Sequence, residues 1–174
     1  MLLGTLELIQ IVPHPQRFAW VPSKVITEPW RPFTAVLYSG KLDFNLLGRL
    51  HNIFTFSRTL EEGGAGQSRK YFIVVVIIAS LLLVLAPLFS VRYLGPAMFS
   101  AITYIWARTH PRENLELVVF EVPAGYLFWL QFVLTVAGNS RKDAVMTLLL
   151  GSLVGHFVFY LDNVFPILSG KQLL

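Results

Sequence analysis

YFIVVVIIASLLLVLAPLFSV, running from Tyr71 to Val91, holds no charged side chain. At 1.5 Å per residue a helix of this stretch extends ~32 Å, enough to cross a hydrocarbon core of ~30 Å. In water such a helix would have to be buried on every side. Arg69-Lys70 precede it and Arg92 follows, where basic residues meet lipid headgroups. Pro87 predicts a kink near its end.

The rest of the chain carries the same signature. Of its 174 residues 55% are hydrophobic and 14% charged, against ~25% charged in a soluble domain. That length holds about five or six spans and leaves no room for a separate soluble domain, so a single membrane domain over 1–174 is expected. The net charge is +4, and its Lys and Arg stand mostly between apolar runs. That is the pattern of headgroup contact and excludes nucleic-acid binding as a leading class. Cysteine is absent, which removes disulfides, thiol catalysis and Cys-ligated metals. Met1–Val12 is apolar but has no basic leader and no small-residue cleavage site, so no cleavable signal peptide is read there. Its ~18 Å of helix cannot span; it reads as the end of a first span or as a short interfacial helix.

Five prolines between Pro13 and Pro32 forbid a continuous helix. Trp20, Trp30 and Phe33 alternate there with Arg17, Lys24 and Arg31, a composition suited to the membrane–water interface. Asp43 reads as the N-cap of a polar-faced helix from Phe44 to Thr59, and lipid would reject its Arg49, His51 and Asn52 unless they face other helices or water. Glu61 to Gln67 is a flexible link. After Tyr71–Val91, further helices are expected at Tyr93–Ala107, Leu117–Gly138 and Ala144–Leu161, with Asp162-Asn163 ending the last. Alternation across a bilayer puts Arg58, Arg69, Lys70, Arg108, Arg112 and Lys171 on one side. Arg17, Lys24, Arg31, Lys41, Arg92, Arg141 and Lys142 fall on the other, so charge alone does not orient the chain.

Several residues bear on chemistry. Gly151 and Gly155 form a GxxxG, which lets a neighbouring backbone approach closely, within the chain or across a dimer. His156 follows; an intramembrane His serves as base, proton relay or hydrogen-bonded packing residue. Ser80, Ser90, Ser100 and Ser152 all lie outside a Gly-x-Ser-x-Gly setting. Glu121 and Gln131 fall within the expected fifth span, as groove-lining groups or as helix-end polar residues near the interface. The four His residues are too dispersed for a metal site, and Gly63-Gly64-Ala65-Gly66 lacks the Lys-Ser/Thr of a phosphate loop. No cofactor or metal is therefore expected. In Trp30-Arg31 an aromatic anchor adjoins a guanidinium that would snorkel to water or draw water in, locally thinning the bilayer.

Pro29-Trp30-Arg31-Pro32-Phe33-Thr34 is followed by Leu37-Tyr38-Ser39-Gly40-Lys41-Leu42, Asn45-Leu46-Leu47 and Phe56-Ser57-Arg58-Thr59-Leu60-Glu61-Glu62-Gly63. Then come Tyr104-Ile105-Trp106-Ala107-Arg108 with Pro111, and Gly155-His156-Phe157-Val158-Phe159-Tyr160-Leu161-Asp162-Asn163-Val164-Phe165-Pro166. In this order and spacing, over about Ile26 to Pro166, the sequence resembles the derlins, rhomboid-like pseudoproteases of the endoplasmic reticulum. The resemblance implies an all-α membrane protein, a rhomboid-like bundle of six transmembrane helices, the first short or truncated here. Both termini would be cytosolic, with 13–42 as first luminal loop and 167–174 as a short cytosolic tail. Where a rhomboid protease carries Gly-x-Ser-Gly, this chain reads Gly95-Pro96-Ala97-Met98, and Leu148 stands where the catalytic His would be.

The resemblance further implies a non-catalytic factor that moves misfolded proteins from the endoplasmic reticulum to the cytosol for ubiquitin–proteasome degradation. Its expected partners are misfolded clients, a membrane ubiquitin-ligase complex and the bilayer. An AAA unfoldase would be reached indirectly, since the tail motif that recruits it is absent, and a homo-oligomer stays open. Trp30 and Arg31 would distort the membrane; Gly151, Gly155 and His156 would pack helices. Asn45, Arg49, Asn52 and Gln131 would line a substrate groove. Two alternatives remain: an intramembrane protease pairing Ser100 or Ser152 with His156, and a membrane scaffold without a conduit.

Overall fold

The computed structural model describes residues 18–25, 27–38, 44–61, 67–117, 120–137 and 142–165. The readings made for Met1–Val12, Asp43, the 62–66 link and the 167–174 tail lie outside the described residues. A 3₁₀ turn at Pro22–Lys24 leads to helix α1, Arg31–Leu37, and then come α2, Phe44–Glu61, α3, Gln67–Leu85, and α4, Gly95–Thr109. Strands β1, Asn114–Leu117, and β2, Phe120–Pro123, follow, and a 3₁₀ turn at Ala124–Tyr126 opens α5, Leu127–Ala137. The last helix, α6, is Lys142–Phe159, and it runs on into a π-helical turn at Tyr160–Val164.

Helix α4 is the axis of the molecule. Ten of its fifteen residues are buried, so its apolar side chains point in every direction, as in a helix enclosed by others. Helices α1, α2, α3, α5 and α6 all pack on it, and α4 with α6 makes the most extensive helix pair. Pro96 sits in its first turn, where the missing N–H costs nothing.

Helix α3 is the opposite case. It buries one stripe, Val74, Ile78, Leu82, and leaves Phe72, Val76 and Val84 exposed. Only 17% of Ser68–Leu85 is buried, which decides its solvent: this surface is satisfied in hydrocarbon and not in water. Lys142–Val164 is the second helix long and apolar enough to cross a membrane. The expected kink at Pro87 is instead a stop. Helix α3 ends at Leu85, because the residue before a proline is driven out of the helical region, and Val91 N–H closes the turn on the Ala86 carbonyl at 3.0 Å.

That turn places Ser90 at φ 55°, in the left-handed region. A Cβ there costs about 1–2 kcal/mol and glycine avoids the cost. Ser90→Gly is expected to raise stability by about 0.5–1 kcal/mol, read as a higher unfolding midpoint in detergent; a lower midpoint would contradict the assignment.

The chain is not all-α. Strands β1 and β2 pair antiparallel, with Asn114 opposite Pro123 and Glu116 opposite Glu121. The helix expected over Leu117–Gly138 therefore shrinks to Leu127–Ala137. Leu115-Glu116-Leu117 and Phe120-Glu121-Val122 alternate apolar and acidic with a period of two, which suits a strand and not a helix in lipid. Glu121 is exposed on β2 rather than within a helix. Six α-helices are described, but the two named above are the helices with spanning length and composition among the described residues.

Two ends can be told apart by their contacts. At one, Lys70 at the start of α3 pairs with Asp162 after α6 at 2.6 Å. Arg108 lies 5.7 Å over the Phe159 ring, and the Ser57 and Tyr71 hydroxyls meet at 2.6 Å, joining α2 to α3. At the other, Trp20 N–H donates to the Arg92 carbonyl at 2.7 Å and Leu94 N–H to the Ala35 carbonyl at 3.0 Å. These bonds fasten residues 18–38 to the α3–α4 turn.

Candidate functional site

Three features carry the residues singled out in the sequence. The first is the fastened segment 18–38. Pro32 in its first turn suits the short α1, and the helix has two faces. Arg31, Ala35 and Tyr38 are buried, while Trp30, Phe33 and Leu37 are 55%, 73% and 60% exposed. Spacings of three and four residues put those three side chains on one side, so α1 turns an apolar aromatic face outward at the end of the bundle. Phe18 stacks on Tyr38, which tilts against Tyr93.

Arg31 departs from expectation. Instead of reaching for water, its guanidinium faces inward and the residue is 5% exposed. Its Nε and Nη2 donate to the Glu28 carboxylate at 2.7 and 3.3 Å, and Nη1 donates to the Ala19 carbonyl at 3.1 Å. This two-pronged charge-assisted grip ties three parts of the segment together. The dipeptide thus divides: Trp30 presents a surface and Arg31 holds the frame behind it. Glu28 was missed in the sequence, although an acid three residues before an Arg is the pairing signal.

The second feature lies between α2 and α5. Both pack on α4, and among the described residues they make no extensive contact with each other. Asn52 on α2 and Gln131 on α5 are half-buried. Asn45 and Arg49 also lie on α2, but their side chains fall outside the described residues. On α4, Thr103 Oγ1 and Trp106 Nε1, one turn apart, are enclosed without a hydrogen-bond partner among the described residues. The Trp106 ring stacks on Phe56 of α2 at 4.3 Å. Unpaired polar atoms there are the kind that water or a polar ligand satisfies. Among the described residues the apolar helix that contains α5 runs Ala124–Ala137, ~21 Å against ~30 Å of hydrocarbon, and its Trp129, Val133 and Leu134 are exposed.

The third is the α4–α6 seam. Gly151 faces the Ala97 carbonyl and Ser100; Gly155 faces Ala101 and Tyr104. The two glycines are thus used within the chain, against small residues of α4. Ser100 Oγ donates to the Leu148 carbonyl at 3.2 Å and shares a 3.0 Å hydrogen bond with Ser152 Oγ. His156 Nδ1 lies 2.8 Å from Tyr104 Oη. The Ser–His pairing the sequence left open is absent among the described residues: the hydroxyls engage each other and a carbonyl, and the imidazole engages a phenol. Tyr104 was not foreseen as the partner, since nothing in spacing links positions 104 and 156. Among the described residues no group of three or more His, Asp or Glu is placed to hold a metal ion.

The whole chain, residues 1–174, matches the sequence model of the Der1-like family. It is similar to a probable derlin-2 homolog of Dictyostelium discoideum, 29% identical over 156 residues, covering 84% of this chain and 60% of that protein. Derlin-1.2 of Zea mays is 30% identical over 151 residues, 84% of this chain and 61% of the relative. Derlin-1 of Arabidopsis thaliana is 29% identical over 166 residues, 92% of this chain and 61% of the relative. The chain spans about 60% of the length of these relatives.

Proposed function

This chain belongs to the Der1-like family of membrane proteins, and from that premise we propose that it is a multi-pass protein of the endoplasmic-reticulum membrane that moves misfolded proteins to the cytosol for ubiquitin–proteasome degradation. It acts without catalysis, by thinning the bilayer and offering a hydrated groove between α2 and α5. The bundle has six spans in this reading, the helices described here supplying the second to the sixth. Its clients are misfolded polypeptides, its partners a membrane ubiquitin ligase and, at one remove, an AAA unfoldase.

The observation that carries this reading is the length of α5. Its described apolar part, Ala124–Ala137, extends ~21 Å against a hydrocarbon core of ~30 Å. A bilayer meeting so short an apolar rod would thin beside it or admit water. Each unsatisfied backbone group in hydrocarbon costs several kcal/mol, so a shorter, wetter crossing lowers the barrier for an extended chain. The exposed Trp30, Phe33 and Leu37 add an anchor at one end. The non-catalytic reading is supported by Ala97, fully buried at the position of a rhomboid nucleophile, and by the engaged Ser100 and Ser152 hydroxyls.

Cells depleted of the protein should clear a misfolded luminal reporter several-fold more slowly in pulse–chase, with the reporter remaining protected from added protease. Normal clearance, or reporter that accumulates on the cytosolic side, would remove the transport role. Atomic-force microscopy of reconstituted patches should find a depressed bilayer around the protein; an unperturbed bilayer would remove the thinning.

A further inference from the structure

Strands β1 and β2 pair with each other, and among the described residues neither packs extensively on a helix. Their register sorts the residues onto two faces. Ala124 N–H donates to the Glu113 carbonyl at 2.9 Å. Leu115 with Val122 and Leu117 with Phe120 are then the hydrogen-bonded pairs, and Asn114 with Pro123 and Glu116 with Glu121 lie between them. Pro123, which has no N–H, thus interrupts no bond of the ladder. Alternation across the pleat places Leu115, Leu117, Phe120 and Val122 on one face and Asn114, Glu116, Glu121 and Pro123 on the other. Asn114 Nδ2 donates to Glu121 Oε2 at 3.4 Å, a contact along that second face. Glu121 is exposed and Val122 half-buried.

Each face sets its own solvent. Two carboxylate residues directly opposite one another repel, and only water keeps that repulsion small. The acidic face therefore belongs in water. The other face holds apolar residues only, and an isolated two-stranded pair is marginal in water unless something covers it. Its place in the fold says what is at hand. β1 follows the end of α4, where Glu113 N–H donates to the His110 carbonyl at 3.2 Å and Arg108 and Arg112 are exposed. β2 runs into the turn that opens α5, where Tyr126 and Trp129 are 64% and 61% exposed. Basic residues on one flank and a Tyr–Trp pair on the other are the composition of a membrane surface. The strand pair stands between them in a protein of a membrane family, beside the exposed apolar side chains of α5.

We propose that the strand pair lies flat on the bilayer, with its apolar face seated in the headgroup–acyl boundary beside the start of α5. The partner is the lipid surface itself, and the face holding Glu116 and Glu121 stays in water. Amphipathic helices rest in this layer with an apolar face buried ~5–10 Å into the boundary. A period of two lets paired strands do the same with every second residue. The seated face continues the exposed apolar surface of α5 sideways, and it does so whether or not the chain moves polypeptide.

The chain has no cysteine of its own, so single cysteines can map both faces. Asn114→Cys, Leu117→Cys, Glu121→Cys and Val122→Cys, each in the full chain, are labelled with nitrobenzoxadiazole and reconstituted in phosphatidylcholine nanodiscs. Quenching is read with phosphatidylcholine spin-labelled near the top of its acyl chain and, separately, with aqueous iodide. Lipid quenching of the Leu117 and Val122 labels is expected to exceed that of the Asn114 and Glu121 labels about two-fold or more, with iodide giving the reverse order. Leu115→Cys and Phe120→Cys repeat the apolar face if Leu117→Cys or Val122→Cys fails to fold. Iodide reaching all four labels alike would place the strand pair in water and overturn the proposal. Lipid quenching all four alike would overturn the two-faced seating. Leu117 and Val122 labels shielded from lipid and iodide together would also overturn it, and would show that protein, the bundle or a second copy, covers the face.

Discussion

Gly151→Ala should unseat α6 from α4 and be the most damaging single-methyl change in the bundle. A Cβ at this position would overlap the Ala97 carbonyl oxygen and stand 2.8 Å from Ser100 Cβ. The obstacle is backbone of the central helix, which cannot move without displacing the helices packed around it. Forcing atoms into a packed seam costs about 1–3 kcal/mol where side chains can yield and more where they cannot, so about 3 kcal/mol or more is expected here. The hydroxyl bridge between Ser100 and Ser152 spans the same seam and would be stretched with it. Gly155→Ala should cost less but remain destabilising, since its Cβ would meet the Ala101 carbonyl oxygen at 2.8 Å and Cα at 3.0 Å. Gly125→Ala is the control: nothing lies within 4 Å of its Cβ, and a change within about 0.5 kcal/mol is expected. Denaturant titration of the three variants in the same detergent checks the order. Gly151→Ala no worse than Gly125→Ala would show that the seam is not close-packed. Association between helices in lipid lacks the hydrophobic drive that operates in water, so this steric fit supplies most of what holds the two longest-packed helices together.

What the sequence made legible follows from which signals are local. Helix α3 is readable because the uncharged run Tyr71–Val91 has one physical explanation, and Gly151/Gly155 because small residues four apart mark a face. Helix α5 is shorter than the helix expected over Leu117–Gly138. Its apolar run continues into Leu115–Val122, and a hydropathy reading joins the two; the acidic alternation of Glu116 and Glu121 was the local clue that the first half is a strand pair. The Arg31 grip could be anticipated in part, from Glu28 three residues away, but the Ala19 carbonyl that completes it is set by tertiary folding of a proline-broken segment. Tyr104 with His156, and Lys70 with Asp162, were out of reach altogether. They join residues far apart in the chain, and one sequence contains no term that couples such positions.

The adjacent residues Trp30 and Arg31 should separate in experiment although they stand together in sequence. Arg31→Ala removes both prongs on Glu28 and the bond to Ala19. Breaking one side of a buried pair typically costs 3–5 kcal/mol, and the Glu28 side chain is 28% exposed, so water recovers part of its charge and about 3 kcal/mol is expected. Arg31→Lys keeps the charge but cannot reach carboxylate and carbonyl together, and about half of that loss should remain. Trp30→Ala deletes a side chain that is 55% exposed and should change stability in detergent by no more than about 0.5 kcal/mol. In the membrane the order of effects should differ. On the proposed function, Trp30→Ala should slow clearance of a misfolded luminal reporter at unchanged protein level, because it removes part of the exposed aromatic face proposed to meet lipid. Arg31→Ala should slow it only as far as the protein itself is lost. Adding Phe33→Ala, on the same outward face, should deepen the Trp30→Ala defect without further loss of stability. Equal destabilisation by Trp30→Ala and Arg31→Ala would mean that the two residues form one structural unit, and normal reporter clearance in the Trp30→Ala, Phe33→Ala protein would take the outward face of α1 out of the mechanism.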